Sequence, residues 1–441
     1  MTQPPTFRWQ GQHNDKRSAQ TFQHIDWTAV LKEAQILNGG RSCSFDGPYH
    51  AGGRHIVRRL EFIDGGDLWL VRIPIVPVSS ASNENGRLKW WTAERRFTME
   101  SEIATMKYIT EFTDIPIPTI FGHRTSIEGN PVKLPYMLMQ CIRGNMLFDL
   151  GGPGILNNEQ KSRIRKSIAL IQCQMATASI SKLGSLVLGP DGTIDLGPLP
   201  ASFGFQGPFT SEVEYFLSWA AHAKFGNLDF LRDQPEDNDK LRSLKRAAIS
   251  FPVRLKAAVE QRASRSSIGY ETSYPIVHRD FLLHNILFDD TYNVVGVIDW
   301  EFAHSAPLEV FAALTNMYSL FDSETLHVVN RDEEGRQYIE DIIDREKDFG
   351  QGCKLSQTFG SILGDIGLCM TYFEEGRAVS FGELLDRYEA ESVDVAHRSE
   401  GRVVASHGIG DFQICSSVPS SPMSPQLTSG RSRNSEGQLA A

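Results

Sequence analysis

The chain has 441 residues, of which 41% are hydrophobic and 22% are charged, enough for one large bilobal unit or two to three domains. Its formal net charge of −10 gives no support to nucleic-acid binding or to attraction by an acidic membrane surface. The sequence has no run of about 18 apolar residues and no apolar signal stretch, so we expect no membrane segment. Its six scattered cysteines, without a CxxC pair, are typical of a reduced intracellular protein, and we expect it to be cytoplasmic.

Both ends of the chain are predicted to be loosely ordered. Residues 1–25 are polar, and we expect them to form a flexible segment. Residues 392–441 are rich in Ser, Pro and Gly and carry few large apolar side chains. Such a segment cannot bury enough surface to offset the entropy of folding, so we expect a disordered tail over residues 392–441.

The first half of the chain predicts a small antiparallel sheet and a helix. Residues 55–63 and 67–75 are rich in β-branched and aromatic residues and are joined by a turn-forming Asp-Gly-Gly, which predicts a hairpin. Apolar residues at helical spacing predict a helix over about 92–111. Residues 134–142 predict a further buried strand.

The second half predicts mainly helices. Four apolar residues at helical spacing predict an amphipathic helix that includes Ile164 and Met175. Further helices are predicted near residues 211–224, 239–262, 308–322, 333–346 and 381–391. Between them, residues 274–310 predict a strand, a loop, a hairpin across Asp289–Asn293 and a final strand that ends at Asp299. A strand-rich first part joined to a helical second part is an α+β arrangement with a cleft between two lobes.

The loop and final strand of residues 274–310 carry a candidate site for phosphoryl transfer. This reaction needs charge neutralisation, a positioned metal ion and an aligned acceptor. Asp280 follows an apolar strand end and is the candidate group that orients or accepts the proton of an acceptor hydroxyl. Asn285 and Asp299 offer the oxygen ligands that a hard cation takes. We expect His278 to brace the loop rather than to react.

These residues resemble the signature of the aminoglycoside phosphotransferase and choline kinase-like family, in which HxDxxxxN is followed by Ile-Asp-Trp or Ile-Asp-Phe. Here the two elements are residues 278–285 and Ile298-Asp299-Trp300. The resemblance covers about residues 40–390, and the chain looks most like uncharacterised fungal phosphotransferase-family proteins. It implies that ATP or another nucleoside triphosphate, together with Mg²⁺, serves to phosphorylate a small hydroxylated substrate.

The resemblance also implies a bilobal, protein kinase-like α+β fold. The N-lobe, an antiparallel sheet over residues 26–142, would bind the nucleotide. The C-lobe, mainly helical over residues 143–391, would hold the catalytic loop, the metal ligands and the acceptor site.

The resemblance places two nucleotide-binding segments in the N-lobe. One is a glycine-containing loop over residues 47–53, where Gly52 and Gly53 let backbone N–H groups approach phosphates. The other is the hinge between the lobes, where backbone groups of Gln140 and Ile142 are expected to bind an adenine. Without the downstream motif, the glycine loop would be interpreted as a structural hairpin turn.

Arg72 stands where kinase-like folds carry a phosphate-binding Lys on the third strand. Arg72 alternates with Leu68 and Leu70, so it belongs to an inward face. Glu102 lies on the apolar side of its helix, where a carboxylate needs a cationic partner, and we predict an Arg72–Glu102 ion pair. Arg and Lys are not interchangeable at tight sites. The alternative is an ordinary strand-to-helix salt bridge without a nucleotide.

Two other functions compete with a small-molecule kinase. A protein kinase is less favoured, because Asp299-Trp300-Glu301 replaces Asp-Phe-Gly, no Ala-Pro-Glu follows, and a helix is predicted to start directly after Ala306-Pro307. A nucleotide-binding pseudokinase-type scaffold without turnover is the second, and Arg72 is the residue that supports it.

Three further features have no assigned role. The acidic residues of 331–348 would attract a cationic substrate, or they form a solvated helix face. Residues 184–209 are rich in Gly and Pro and form a lid or an insertion near the cleft. Trp90 and Trp91 either stack on a ligand or serve packing.

Overall fold

This computed structural model describes residues 16–63, 67–77, 86, 89–189, 191–200, 206–225, 239–265, 273–312, 333–350, 355–359, 362–375, 382 and 384–390. All of these residues belong to one unit, Met1–Ser392. Residues 1–15 and the tail predicted over residues 392–441 lie outside the described residues.

The N-terminal part of the chain forms a five-stranded antiparallel sheet with the strand order β1-β2-β3-β5-β4. Its strands are β1 (Cys43–Ala51), β2 (His55–Phe62), β3 (Leu68–Pro74), β4 (Ile120–Arg124) and β5 (Tyr136–Gln140). The predicted hairpin is confirmed, since β2 pairs with β3 from His55–Pro74 to Glu61–Leu68. Alternate side chains of a strand point to the same face. The buried Ile56 and Leu60 of β2 accordingly lie on one face and contribute to the core of the sheet.

Two helices that the sequence pattern did not reveal precede the sheet. They are α1 (Lys16–His24) and α2 (Trp27–Leu37). The prediction of a flexible start is therefore wrong for residues 16–25. The Thr21 hydroxyl accepts a hydrogen bond from the Val76 N–H at 2.9 Å and donates to the Arg17 carbonyl at 2.9 Å. The buried side chains of α1 are small and polar, such as Thr21. The helix therefore has no apolar stripe, which is the sequence pattern that predicts a packed helix.

Arg58 of β2 lies among aromatic rings that join α1 and α2 to the sheet. Its guanidinium carbon is 3.8 Å from the ring centre of Phe45, 5.0 Å from that of Trp27 and 5.4 Å from that of Phe22. A guanidinium over an aromatic face is attracted by the ring quadrupole. Burial at this position lowers the pKa of Arg58.

Helix α3 (Ala93–Phe112) follows closely the range predicted from the apolar spacing. The Thr92 hydroxyl caps its first turn, as is typical of helix N-termini. Met99 and Ile103 are buried against Met137 and Met139 of β5. This contact fixes the helix against the sheet.

The C-terminal part is mainly helical. Its helices are α4 (Asn158–Thr177), α5 (Glu212–His222), α6 (Asp239–Arg265), α7 (Leu308–Ala312), α8 (Glu333–Phe349), α9 (Leu355–Thr358) and α10 (Ile362–Glu375). Residues 384–390 are helical too. Helices α4, α5, α6 and α8 and the helical residues 384–390 follow the predicted ranges. Helix α7 begins where the helix over 308–322 is predicted, but residues 313–322 lie outside the described residues. Helices α9 and α10 were not predicted from the sequence.

Short strands complete the C-terminal part. They are β6 (Asn145–Met146), β7 (Ser185–Leu188), β8 (Ile194–Gly197), β9 (Ile276–Val277), β10 (Ile286–Phe288), β11 (Val294–Val297) and β12 (His304–Ser305). Strands β11, β10 and β6 form one sheet in that order, while β7 pairs with β8 and β9 with β12. The predicted hairpin across residues 289–293 is confirmed as β10–β11.

Two segments without an assigned role take part in packing. Residues 184–209 contain the β7–β8 hairpin, where Gly197 lies against the Phe97 ring of α3. Within the acidic segment 331–348, helix α8 packs on α4, and the Arg165 Nε donates to the Asp341 carboxylate at 2.5 Å. Both side chains are largely buried. Part of the acidic charge is therefore used inside a helix–helix contact.

The tryptophans before α3 serve packing. Trp90 is buried in the core of the N-terminal sheet, and the Trp91 Nε1–H donates to the Thr125 carbonyl at 2.7 Å. Together, these elements form an α+β fold, in which a five-stranded antiparallel sheet is followed by a mainly helical part. None of the described helices is long and apolar enough to cross a membrane.

Thr21→Val is expected to destabilise the protein by about 1–3 kcal/mol, because the buried Val76 N–H loses its acceptor while the shape of the side chain is kept. Thr21→Ser keeps the hydroxyl and is expected to cost about 0.8 kcal/mol for the lost methyl group. Urea unfolding of the three proteins measures both differences. A Val variant no less stable than the Ser variant would show that α1 is not anchored by this hydrogen bond.

Candidate active site

A cavity of about 500 Å³ opens between the first sheet and the loops of the C-terminal part. Ligand sites for small molecules usually measure roughly 300–1,000 Å³. Eight residues selected from the sequence line it: Gly52, Gly53, Arg72, Glu102, Gln140, Ile142, Asn285 and Asp299. Asp280 and His278 lie in the adjoining loop and are not part of the lining. The described residues of the segments 184–209 and 331–348, and the pair Trp90-Trp91, contribute no lining residue.

The β10–β11 hairpin positions Asp299 at the edge of this cavity. Strand β11 ends at Val297, and the Ile298 N–H donates to the Asn285 carbonyl at 2.9 Å. Asp299 then adopts φ 64°, a left-handed conformation that is uncommon for a residue other than glycine. The carboxylate lies just past the tip of the strand, as the sequence indicates.

Asn285 holds the carboxylate of Asp280. Its amide nitrogen donates to both the Asp280 carbonyl and the Asp280 Oδ2, each at 2.9 Å. Since both bonds use the nitrogen, they leave the amide oxygen of Asn285 available on the wall of the cavity. The Asn285 side chain is buried, whereas that of Asp280 is half exposed.

His284 also contacts the Asp280 carboxylate, and the sequence analysis did not select it. Its Nε2 lies 3.0 Å from Asp280 Oδ2. The hydrogen bond from His284 is the main cause that lowers the pKa of Asp280, and the same bond raises the pKa of His284. The i to i+4 spacing within a loop with a short 3-10 turn was the only sequence signal for this pair.

His278 links the catalytic loop to the strand that carries Asp299. The ring is fully buried, and its Nε2–H donates to the Ile298 carbonyl at 3.0 Å. The Trp300 ring lies 4.5 Å away between centroids. Burial lowers the pKa of His278 to about 4, so the imidazole is neutral at physiological pH. This geometry corresponds to a brace within the loop.

The predicted Arg72–Glu102 ion pair is confirmed, and Arg72 binds more than Glu102. The Arg72 Nη1 lies 2.5 and 2.6 Å from the two carboxylate oxygens of Glu102. Its Nη2 donates to the Asp299 Oδ1 at 2.5 Å and to the His55 Nδ1 at 3.1 Å. Glu301 lies at 3.9 Å from the same nitrogen. One guanidinium thus connects the sheet, helix α3 and the metal-ligand candidate.

The protonation of this cluster follows from burial and charge. Burial raises the pKa of Glu102, and the charges of Asp299 and Glu301 add to this, while Arg72 lowers it. Burial lowers the pKa of Arg72, but Glu102 and Asp299 outweigh it, so the net shift is upward and the guanidinium stays charged. Burial, followed by the charges of Arg72 and Arg54, lowers the pKa of His55 well below its usual value. A neutral His55 can accept the hydrogen bond from Arg72.

The glycine loop is shorter than predicted. Strand β1 extends to Ala51, with an irregularity between Asp46 and His50 and with Gly47 at φ 74°. The turn is therefore confined to residues 52–54. A β-carbon built on Gly53 meets no atom within 4 Å, and one on Gly52 meets only the His55 carbonyl at 3.9 Å. Packing within the protein therefore does not require glycine at these two positions. The open space beside them would let a ligand approach the backbone closely.

The hinge segment is partly engaged in the sheet. The Gln140 N–H donates to the Thr119 carbonyl at 2.8 Å, and the Cys141 N–H donates to the Leu68 carbonyl at 2.9 Å. The N–H of Ile142 takes part in neither bond. The sequence did not indicate which N–H groups of this segment are used in the sheet, because strand pairing here depends on contacts between distant residues.

Residues 89–310, about half of the chain, match the profile of a family described as the phosphotransferase enzyme family. The solved structures with a similar fold include a Ralstonia eutropha JMP134 protein assigned as an aminoglycoside phosphotransferase (13% identity, TM-score 0.43, covering 80% of this chain and 100% of that one). They also include a type I macrolide 2′-phosphotransferase (14%, 0.40, 83% and 98%). A third is the ethanolamine kinase of Plasmodium vivax (14%, 0.39, 88% and 91%). No curated protein matches the sequence of this chain.

Glu102→Gln is expected to lower the free energy of unfolding by about 3 kcal/mol, because it removes the charge that pairs with the buried Arg72. Glu100→Gln on the same helix is the matched control. Glu100 is more exposed and pairs with Arg96, so we expect a loss below about 1 kcal/mol. Denaturant unfolding compares the two variants. Equal losses would contradict a special role for the buried pair.

The His284–Asp280 pair is expected to make stability depend on pH. The raised pKa of His284 adds stability that is fully present below its unfolded pKa near 6.5 and is lost as the pH rises through the higher folded pKa. The lowered pKa of Asp280 adds stability that is lost as the pH falls through the folded pKa, below 3.8. Both side chains are about half exposed, so the pair contributes less than about 1 kcal/mol.

This dependence is measured as the thermal unfolding difference between wild type and His284→Gln at about pH 6 and at about pH 8. We expect the wild type to be more stable than His284→Gln at about pH 6, and we expect this difference in stability to be smaller at about pH 8. His222→Gln is the control, since the His222 Nδ1 contacts the Ser218 carbonyl instead of a carboxylate. A difference that does not change with pH would exclude the pairing.

Proposed function

Because the chain belongs to the phosphotransferase enzyme family, we propose that it transfers the γ-phosphoryl group of ATP, or of another nucleoside triphosphate, to a hydroxyl of a small molecule. The observation that carries this proposal is the cavity whose wall holds Asn285 and Asp299 beside the half-exposed carboxylate of Asp280. A metal-binding pair next to an orienting carboxylate is the minimum that phosphoryl transfer requires of a protein.

The nucleotide is assigned to the cavity between the turn at Gly52-Gly53 and the hinge at Gln140–Ile142. The Ile142 N–H, which is outside the strand bonds of Gln140 and Cys141, is the group proposed to meet an adenine edge. Open space at the two glycines supports an approach of the phosphates to the turn.

The donor set fits Mg²⁺. The described residues contain no cluster of three or more His, Cys, Asp or Glu side chains that could hold a metal by themselves. Mg²⁺ does not need one, since it is usually held by one or two protein ligands together with substrate phosphates and water. The amide oxygen of Asn285 and the carboxylate of Asp299 would hold it, and it would neutralise charge on the phosphates.

Asp280 is assigned to the acceptor. Two hydrogen bonds, from Asn285 and His284, fix the direction of its carboxylate. These contacts lower the pKa of Asp280, so the carboxylate is ionised and can orient a hydroxyl or accept its proton. His278 is assigned a bracing role through the Ile298 carbonyl.

A specific observation favours a second candidate, a nucleotide-binding scaffold without turnover. Arg72 occupies the position of the usual Lys and donates to Asp299, so the charge expected to meet phosphate is bound to a carboxylate. A thermal shift with MgATP followed by a screen for ADP release over hydroxylated metabolites separates the two candidates. Binding without turnover supports the scaffold, and no shift contradicts both. A protein kinase is less well supported, because β12 and α7 follow Asp299 directly.

Asp280→Asn is expected to keep MgATP affinity and to reduce turnover by at least about 100-fold, because general acid–base groups contribute that much or more. Asp299→Ala is expected to weaken MgATP binding itself, because it removes a metal ligand. Calorimetric titration and ADP release measure the two effects. Asp344→Asn, an exposed carboxylate on α8 that pairs with Lys347, is the control and is expected to match wild type. Equal turnover of wild type and Asp280→Asn would refute the catalytic assignment.

A further inference from the structure

The cavity contains little free positive charge for a nucleotide. Among the described residues that line it, only Arg54 and Arg72 are Arg or Lys. The carboxylates of Glu102, Asp149 and Asp299 line the same space. A nucleoside triphosphate adds several negative charges, so unscreened carboxylates would oppose its binding. A cation in the wall that reaches the phosphates would offset this repulsion in addition to Mg²⁺.

Arg72 is poorly placed to be that cation. Its two terminal nitrogens are bound at 2.5 Å to Glu102 and Asp299, and only 10% of the side chain is exposed. Moving the guanidinium away from Glu102, whose side chain is only 3% exposed, would leave two buried charges without their partner, which is costly. Arg72 thus serves to join carboxylates within the protein.

Arg54 has the opposite properties. It lies in the turn between β1 and β2, next to Gly52 and Gly53, and 64% of its side chain is exposed. The only ion pair that the structure describes for it is a 3.3 Å contact between its Nη1 and Glu301 Oε1, and its guanidinium lies 4.8 Å from the ring centre of Phe302. The Arg54 end of this pair is solvated, while the Glu301 side chain is 16% exposed and also lies 3.9 Å from the Arg72 Nη2. Because Glu301 keeps a cationic neighbour when Arg54 moves away, the Arg54 side chain can exchange partners.

The backbone around Arg54 is fixed although the side chain is exposed. The Arg54 carbonyl accepts a hydrogen bond from the Ile75 N–H at 2.7 Å, and the Gly52 N–H donates to the His55 carbonyl at 2.9 Å. Its side chain starts from the N-terminal sheet and reaches Glu301, two residues past Asp299. It therefore crosses the space beside the metal-ligand candidate, where the terminal phosphates of a nucleotide are assigned.

We propose that Arg54 binds the terminal phosphates of the nucleotide, taking over the phosphate contact that Arg72 does not supply. Without nucleotide, Arg54 rests on Glu301 and Phe302. With nucleotide, its planar guanidinium donates to phosphate oxygens, a geometry that Arg supports through paired hydrogen bonds. This inference rests on the proposed nucleotide-binding function.

The test is a series of calorimetric titrations of wild type and Arg54→Ala with adenosine, AMP, ADP and ATP in the presence of Mg²⁺. Loss of a charged hydrogen bond to a terminal phosphate is expected to weaken ATP binding by about 10- to 100-fold. Adenosine binding is expected to stay within about twofold, because adenosine lacks the group that Arg54 contacts. Arg54→Lys is expected to recover part of the ATP affinity, since it keeps the charge but not the paired donors.

Arg41→Ala is the matched control. Arg41 also pairs with one carboxylate, Asp67, at 2.6 Å and lies over one aromatic ring, Phe62, but it does not line the cavity. We expect it to bind all four ligands as wild type does.

Each other outcome contradicts the proposal in a recognisable way. An equal loss for adenosine and ATP would show that Arg54→Ala disturbs the cavity instead of a phosphate contact. If Arg54→Ala bound ATP as tightly as Arg41→Ala does, Arg54 would not contact the phosphates. A wild type that binds none of the four ligands would overturn the proposed function together with this inference, whereas the first two outcomes leave the proposed function standing.

Discussion

The candidate site depends on one buried guanidinium. Arg72 extends from β3 and binds Glu102 of α3 on one side and Asp299 at the end of β11 on the other. Its side chain is only 10% exposed and that of Glu102 only 3%, so both charges of this pair are kept from bulk water, whereas the Asp299 side chain is 41% exposed. Burying such charges is costly unless each has a partner at short distance. The positions of the sheet, of α3 and of Asp299 are therefore coupled, since moving any of them would separate charges in a poorly solvated space.

The backbone around Asp299 is strained, and the neighbouring contacts hold it there. Arg279, Asp299 and Phe302 have φ values of 61°, 64° and 68°, a conformation that costs about 1–3 kcal/mol at a residue other than glycine. Ile298 is held on both sides by the catalytic loop, because its N–H binds the Asn285 carbonyl and its carbonyl binds His278. Trp300 is fully buried beneath them. Such strain is typical of functional sites, where the surrounding structure fixes side chains in directions that a relaxed backbone would not give.

The parts that were predicted from sequence are those governed by local pattern. The β2–β3 hairpin and helix α3 follow from apolar periodicity and turn residues, and the Arg72–Glu102 pair follows from combining two such periodicities. Helix α1 was missed because its contact with the sheet uses the Thr21 hydroxyl in place of an apolar stripe. The bond from Arg72 to Asp299 was missed because it joins residues 227 positions apart, and no periodicity relates them. The contact between His284 and Asp280 was missed because the two residues lie four positions apart in a loop. In a loop this spacing does not predict a contact unless the geometry of the turn is known.

Under the proposed function, an arginine at the position of the usual Lys accounts for the use of cations in two places. A lysine ammonium is a compact charge on a flexible stem, and in kinase-like folds it serves both the helix carboxylate and the phosphates. A guanidinium presents separate nitrogens on a rigid plane, and here these nitrogens bind two carboxylates at once, at 2.5 Å each. An arginine engaged in this way stabilises the arrangement of Glu102 and Asp299 more firmly than a lysine would, but it has less freedom to follow a ligand. Under the proposed function, the cavity separates the two tasks: the buried Arg72 fixes the geometry, and contact with the anionic ligand falls to a solvated cation, for which we propose Arg54.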